Sequence, residues 1–389
     1  MAKYDVRRFA NPEVLRTIRP DNLIQLLMPF AAYLLKRGVS LPVARLRAAN
    51  DEVGAEENDA FDYDALAGVL LNPDDDLEDD LVNALYLISE CSTDTAASKL
   101  LGLASVESTQ LLSPADIATQ VYLKNPDLLE RVHSEQFVGA RKSFRYFLSR
   151  ERSLERLRPS STTIREIEAD LAAWFESKKK GNQVRLVVFP KDTETWFLVR
   201  HGEGFKRESA QRSGKSTSIF YRPERYDVAV YTRSTGEFRI NAEERERGVY
   251  RRVFGRRLFG SDEFFPEEAL KYTLEPLKQG PSSIAWSDVP GIDEVVLEEV
   301  RYDIGGAHHE SKTHSAADLF AALSGRPLLS APIGSARFKI RFSESNKPRA
   351  VIITPPRNAK FTRDSDGRTV AEWLSKRGFD LSRRTIDSD

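Results

Sequence analysis

Between Ser218 and Pro266 two runs of alternating apolar residues are followed at once by a helical run, and this order leaves few folds open to the chain. Val228 and Val230 share one side of a first strand, and Phe238 and Ile240 share one side of a second. The small and polar residues from Thr232 to Gly236 suit a turn, so the pair predicts a β-hairpin. Val249, Tyr250, Val253, Phe254 and Leu258 then fall at helical spacing and predict one buried helix face. Arg245, Arg252 and Arg256 cluster on the opposite side. Guanidinium groups match phosphate oxygens bidentately and nearby aromatic rings stack on bases, so this face is a candidate DNA- or RNA-binding surface. A solvated helix face, partly neutralised by Glu243, Glu244 and Glu246, is the plainer alternative.

The stretch before it reads differently. Residues 13–137 have the pattern of helices separated by short breaks. Leu23, Leu26, Leu27, Phe30 and Leu34 keep helical spacing, with a kink expected at Pro29 and a stop at Gly38 and Pro42. Residues 49–60 are acidic and unpatterned, which predicts a loop. The run Asp74 to Asp80 crowds hard oxygen ligands but lacks the alternation and glycine of a calcium loop, and it precedes Leu81, Leu85 and Ile88 as a helix start should. Ser113, Pro114 and Asp116 form another start, ahead of Ile117, Val121 and Tyr122.

Charge divides the chain as sharply. Residues 1–140 hold 12 basic and 23 acidic side chains, and the remainder holds 46 and 36. Opposite charge on two parts of one chain suggests mutual contact, or a polyanion partner for the basic part. From Arg141 to Arg158 basic residues dominate, and Phe144, Tyr146 and Phe147 interleave with Arg141, Lys142 and Arg145. This stretch is expected to be a basic linker, 141–160, between an acidic helical domain, 1–140, and a basic domain, 161–389. Cys91 is the only cysteine, so an intramolecular disulfide and a cysteine-cluster metal site are excluded. The start carries no signal-peptide core and no apolar run approaches membrane-spanning length, which predicts a cytoplasmic protein with no membrane partner.

In the distal part a capping box at Thr163 and Glu166 opens a helix with Ile164, Ile167, Leu171, Trp174 and Phe175 inward, ending at the lysines before Gly181. Strands follow at Val184–Phe189 and Thr195–Arg200, and later at Glu294–Tyr302, Ala336–Phe342 and Arg349–Thr354. A helix is expected over Glu267–Lys278 and another behind Thr369 and Glu372. In the strand Ala336–Phe342, Phe338, Ile340 and Phe342 alternate with Arg337, Lys339 and Arg341, so one sheet face is basic. The fold class is therefore α+β, an all-helical N-terminal domain followed by a larger and largely antiparallel α+β domain.

Four patterns bear on chemistry. Phe197 to Glu203, reading FLVRHGE, resembles the first signature of the histidine phosphatases, which implies His201 as nucleophile and Arg200 as phosphate clamp. The likeness ends there, because a polar loop from Phe205 to Ser216 is expected next. Ser213 to Thr217 resembles the end of a P-loop, but Ser209 stands where its first glycine is needed, so a flexible basic loop is expected. His308, His309 and His314 crowd a glycine-led loop without a carboxylate or cysteine partner at metal spacing, and no metal or other cofactor is assigned. Asp227 and Glu237 open the two hairpin strands, as acids do in nuclease cores of the restriction-enzyme type, with Arg239 where those cores carry lysine.

The order YRPERYDV, TGEFRINA and YRRVFGRRLFGSDEFF resembles a family of uncharacterised bacterial proteins from mobile-element or phage-defence loci, and it transfers no functional residue. The function expected is that of a binding protein, with Arg245, Arg252, Arg256, Lys339 and Arg341 holding DNA or RNA and the helical domain docking a protein partner. A phosphate-ester hydrolase or nuclease using His201, or Asp227 with Glu237, is the alternative.

Overall fold

The computed structural model describes residues 6, 9–42, 61–104, 112–149, 157–212, 214–267, 270–345, 347–362 and 366–381. The acidic stretch 49–60 lies outside them. Packing divides the chain into two units, Met1–Phe137 with Ser209–Ser218, and Val138–Glu208 with Ile219–Asp389. No helix among the described residues is long and apolar enough to cross a membrane.

The first unit is helical. Helices α1 (Pro12–Leu15), α2 (Pro20–Leu27), α3 (Ala31–Lys36), α4 (Tyr63–Leu71), α5 (Asp79–Cys91), α6 (Asp94–Leu103), α7 (Pro114–Lys124) and α8 (Pro126–Gly139) follow one another, the last running past the unit's end. Pro29 lacks an N–H and interrupts the periodic stretch, so α2 and α3 are joined by a 3-10 turn, Met28–Phe30. Asp79 and Asp80 occupy the first turn of α5, in accord with the helix-start reading of the aspartate run. Ser113 caps α7, its hydroxyl accepting from the Asp116 N–H at 3.0 Å. Asp116 is itself buried, and its carboxylate accepts from the Arg19 N–H at 2.9 Å, Asn22 at 2.8 Å and Gln120 at 2.8 Å.

The second unit is built on a ten-stranded sheet. In spatial order it runs β2 (Val184–Pro190), β3 (Glu194–Gly202), β6 (Glu224–Thr232), β7 (Glu237–Asn241), β1 (Ser143–Leu148), β12 (Asn358–Lys360), β11 (Arg349–Thr354), β10 (Ile333–Phe342), β8 (Ile292–Gly305) and β9 (Glu310–Ser315). All described pairings are antiparallel. Helices α9 (Ser161–Ser177) and α10 (Glu244–Phe259) cover one face of the first four strands, where Ile167, Leu171, Phe175, Tyr250, Val253 and Phe254 pack on Phe197, Val199, Tyr231, Phe238 and Ile240. The short α11 (Leu319–Leu323) follows β9, and α12 (Gly367–Lys376) lies against the far half of the sheet, its buried Trp373 meeting Phe338 edge-on at 5.1 Å. The α+β class and the order of a helical part before an antiparallel one agree with the sequence.

Several boundaries differ. The stretch expected as a linker contributes β1, a central strand, because Phe144 and Tyr146 alternate with Arg145 and Phe147 and the period of two outweighs the charge. The helix expected over Glu267–Lys278 is absent among the described residues; Tyr272 bridges to Asp380 and a 3-10 helix, Glu275–Gln279, opens on Pro276. The polar loop expected from Phe205 is a hairpin of β4 (Lys206–Arg212) and β5 (Lys215–Tyr221), turning near Gly214 at a φ of +72°. His308 and His309 sit in the turn between β8 and β9, and His314 stands on β9 against Tyr302. Helix α9 begins three residues early because Ser160, not Thr163, is the cap.

Candidate nucleic-acid interface

Residues directly opposite one another in an antiparallel pair share a face. Arg145 is opposite both Ile240 and Asn358, Asn358 is opposite Thr354, and Ile352 is opposite both Lys360 and Arg337. The face that α9 and α10 cover over β7 therefore continues past β1 as the face carrying Arg145, Lys360, Ile352, Arg337 and Lys339. There it is open, with Lys360, Arg337, Lys339 and Arg341 exposed, while Phe338 and Ile340 point to the other, covered side.

Two kinds of cation stand on this open face. Toward β8 they are paired, Arg337 and Lys339 with Glu298 at 3.2 and 3.3 Å, and Arg341 with Glu294 at 3.0 Å. Exposed pairs of this sort contribute little to stability and exchange readily. Beside α10 they are not. Among the described residues Lys142, Arg145, Arg247, Arg357 and Lys360 have no carboxylate at ion-pair distance.

The second group is held close together. The guanidinium carbons of Arg145 and Arg357 lie 5.9 and 6.0 Å from the centre of the Phe147 ring. Burial lowers the pKa of Arg247 and Arg145 lowers it further, against Glu244 and Asp227; burial and then Arg145 do the same to Arg357, against Glu267 and with Arg251 adding to the effect. Nε and Nη1 of Arg357 are buried without a hydrogen-bond partner. Lys142, Arg337, Arg349 and Lys360, with Ile352, line an adjoining cleft of about 510 Å³, in which Arg337 is paired with Glu298 and Arg349 with Asp366. Like charges at this density repel one another, and an anion relieves that repulsion.

The five residues expected to bind nucleic acid thus fall into two groups. Lys339 and Arg341 stand on the open face. Arg245, Arg252 and Arg256 are exposed on the outer side of α10, where Arg256 meets Asp170 at 2.9 Å, so that side of the helix turns toward α9. Arg247 lies on the other side of α10 from that stripe, toward Arg145 on β1, and Arg251, one turn further on, faces Arg357. The interleaving of Arg145 with aromatic residues was visible in the sequence, whereas Arg357 and Lys360 have no local signal and are recruited by strand pairing.

The residues considered for chemistry are placed otherwise. Asp227 and Glu237 do not meet, because Glu237 is opposite Thr232, five residues from Asp227 and roughly 16 Å along the strand. They also point to opposite faces. Glu237 is in an ion pair with buried Lys271, which also meets Asp380 at 2.9 Å. Arg200 pairs with Glu224 at 3.2 Å on the sheet face away from His201.

His201 and Asp227 are brought together instead. His201 Nε2 lies 3.0 Å from Asp227 Oδ2, which also accepts from the Tyr250 hydroxyl at 2.7 Å, and the imidazole stacks on Phe175 at 3.9 Å. Burial opposes the imidazolium, but Asp227 outweighs it and raises the His201 pKa. Burial, with Asp227 beside it, raises that of Glu246. His201, Asp227 and Glu246 present ligand atoms within 4.8 Å of one another, a set able to hold a metal ion. Glu246 is already engaged by Lys180 at 2.7 Å, so a cation entering here displaces an ammonium. The His201 side chain is 0% exposed, and both ring nitrogens are occupied, Nδ1 by the Gly202 carbonyl at 2.9 Å. This arrangement is suited to holding β3, β6 and α10 together rather than to attacking a substrate.

No protein-family model matches the chain, and no curated protein matches it significantly.

Proposed function

We propose that the protein binds nucleic acid through the open sheet face of its second unit, with the strip Lys142, Arg145, Arg247, Arg357 and Lys360 as the primary phosphate contact. The observation that carries this reading is the absence of ion-pair partners for these five cations among the described residues, next to a cleft lined by four basic side chains. Lys339 and Arg341 extend the surface by exchanging Glu298 and Glu294 for phosphate. Such binding is electrostatic and weakens with salt, because neutralised phosphates release counterions. Mobility shifts at low salt test it: the wild-type chain retards DNA or RNA, and Arg145→Glu with Lys360→Glu abolishes the shift. No retardation at low salt, or an unchanged shift in the double variant, overturns it.

A further inference from the structure

The base of the hairpin β4–β5, the part that belongs to the second unit, carries exposed large apolar side chains. Phe205 and Phe220 flank its base, are 63% and 59% exposed, and lie nearly parallel, with ring centres 6.3 Å apart and an interplanar angle of 20°. Ile219 beside them is 51% exposed. Two exposed phenylalanines cost free energy in water, and among the described residues none covers either of them. Their surroundings are cationic. The Arg222 guanidinium lies 5.8 Å from the Phe205 ring centre and that of Arg207 lies 6.0 Å from Phe220. From Phe205 to Arg222 the chain has five basic residues and one acidic one.

This platform is rigid at its root. Arg222 Nη1 donates to the carbonyls of Lys179 and Glu203, both at 2.8 Å. Its stem runs over Gly202, where a Cβ would come within 2.5 Å of the Arg222 Cδ. Glycine at that position lets the arginine lie flat and hold its ring partner in place.

Resting on the nucleic-acid reading above, we infer that the nucleic acid is single-stranded and that its bases stack on Phe205 and Phe220. Bases buried in a duplex cannot reach such rings, whereas every unpaired base offers a π-face, and arginines beside the rings meet the backbone phosphates. A protein surface as partner would want the rings without this excess of like charge.

The test compares three probes on the full chain: fluorescein-labelled dT20, a 20-nucleotide abasic strand, and a 20-base-pair duplex. Wild type binds dT20 more tightly than the abasic strand, by roughly fivefold or more for each stacked base. Phe205→Ala with Phe220→Ala removes that preference and leaves abasic binding unchanged; both side chains are exposed, so folding is not at stake. Phe205→Tyr with Phe220→Trp keeps it. Equal wild-type affinity for dT20 and the abasic strand, a preference for the duplex, or a preference that survives the double alanine variant overturns the inference while leaving the basic face standing. Failure of all three probes to bind removes the underlying reading instead.

Discussion

His201 Nε2 and Asp227 Oδ2 lie 3.0 Å apart in the interior of the second unit, joining β3 to β6 beneath α10. A motif that resembles a phosphatase signature thus ends in a buried ion pair. Tyr250 completes it from the helix at 2.7 Å, so three elements meet at one carboxylate. Asp227→Ala leaves the imidazole and the phenol without their partner, and urea denaturation is expected to register a loss of about 3–5 kcal/mol. A change below about 1 kcal/mol would mean that solvent replaces the carboxylate and the site is not closed.

Stability should also depend on pH through the same residue. The folded-state pKa of His201 is raised, so the folded protein holds this proton more tightly than the unfolded chain. The contribution is complete below about pH 6.5, the ordinary histidine value, and is lost as pH rises through the folded value. Glu246, also raised, acts in the same sense at lower pH. Denaturation midpoints measured from pH 6 to 9 are expected to fall for wild type and to fall less for His201→Gln. Parallel curves would separate the histidine from the effect.

Zinc addresses the alternative occupancy of this cluster. Lys180 neutralises Glu246 at 2.7 Å, and displacing this half-buried ammonium opposes metal entry. Thermal melts with zinc and with chelator are expected to coincide. A zinc-dependent rise in Tm that His201→Gln removes would make the cluster a metal centre.

In the first unit Asp116 gathers donors from Arg19, Asn22 and Gln120. Asp116→Ala leaves buried Gln120, half-buried Asn22 and the Arg19 N–H without their acceptor and is expected to cost about 3 kcal/mol, read as a lower urea midpoint of the helical part. Ser113→Ala, which removes the cap of α7 and the exposed hydrogen bonds of its hydroxyl with Thr17, should cost about 1–2 kcal/mol. If the two variants cost the same, the carboxylate is acting as part of the cap alone.

What the sequence made legible followed from local rules. Pro29, Ser113 and the aspartates before Leu81 mark helix ends by what they do to one turn of backbone, and each lies where it was expected. The hairpin from Val228 to Ile240 was equally plain, although Phe238 and Ile240 face the same side as Tyr231 and Ala229 rather than Val228 and Val230, a register that alternation in buried strands does not fix. Arg145 shows the limit. Its neighbours signalled binding, and the alternation of Phe144 and Tyr146 with Arg145 allows a strand, yet nothing local says that this strand lies centrally between β7 and β12. Nor does any spacing bring Arg357 beside Arg145, since 212 residues of chain separate them and only the pairing of β1 with β12 joins them. Lys271 was hidden for the same reason, its partners Glu237 and Asp380 coming from distant segments.

The proposal that the cationic strip, without ion-pair partners among the described residues, holds phosphate is tested most directly by the salt dependence of binding to labelled dT20 by fluorescence anisotropy. For the full chain, log K should fall linearly with log salt, and the variant carrying Arg145→Gln, Arg247→Gln, Arg357→Gln and Lys360→Gln should show a slope smaller by about 4, one per cation removed. An unchanged slope in that variant, or no binding by the wild-type chain at the lowest salt, would contradict it.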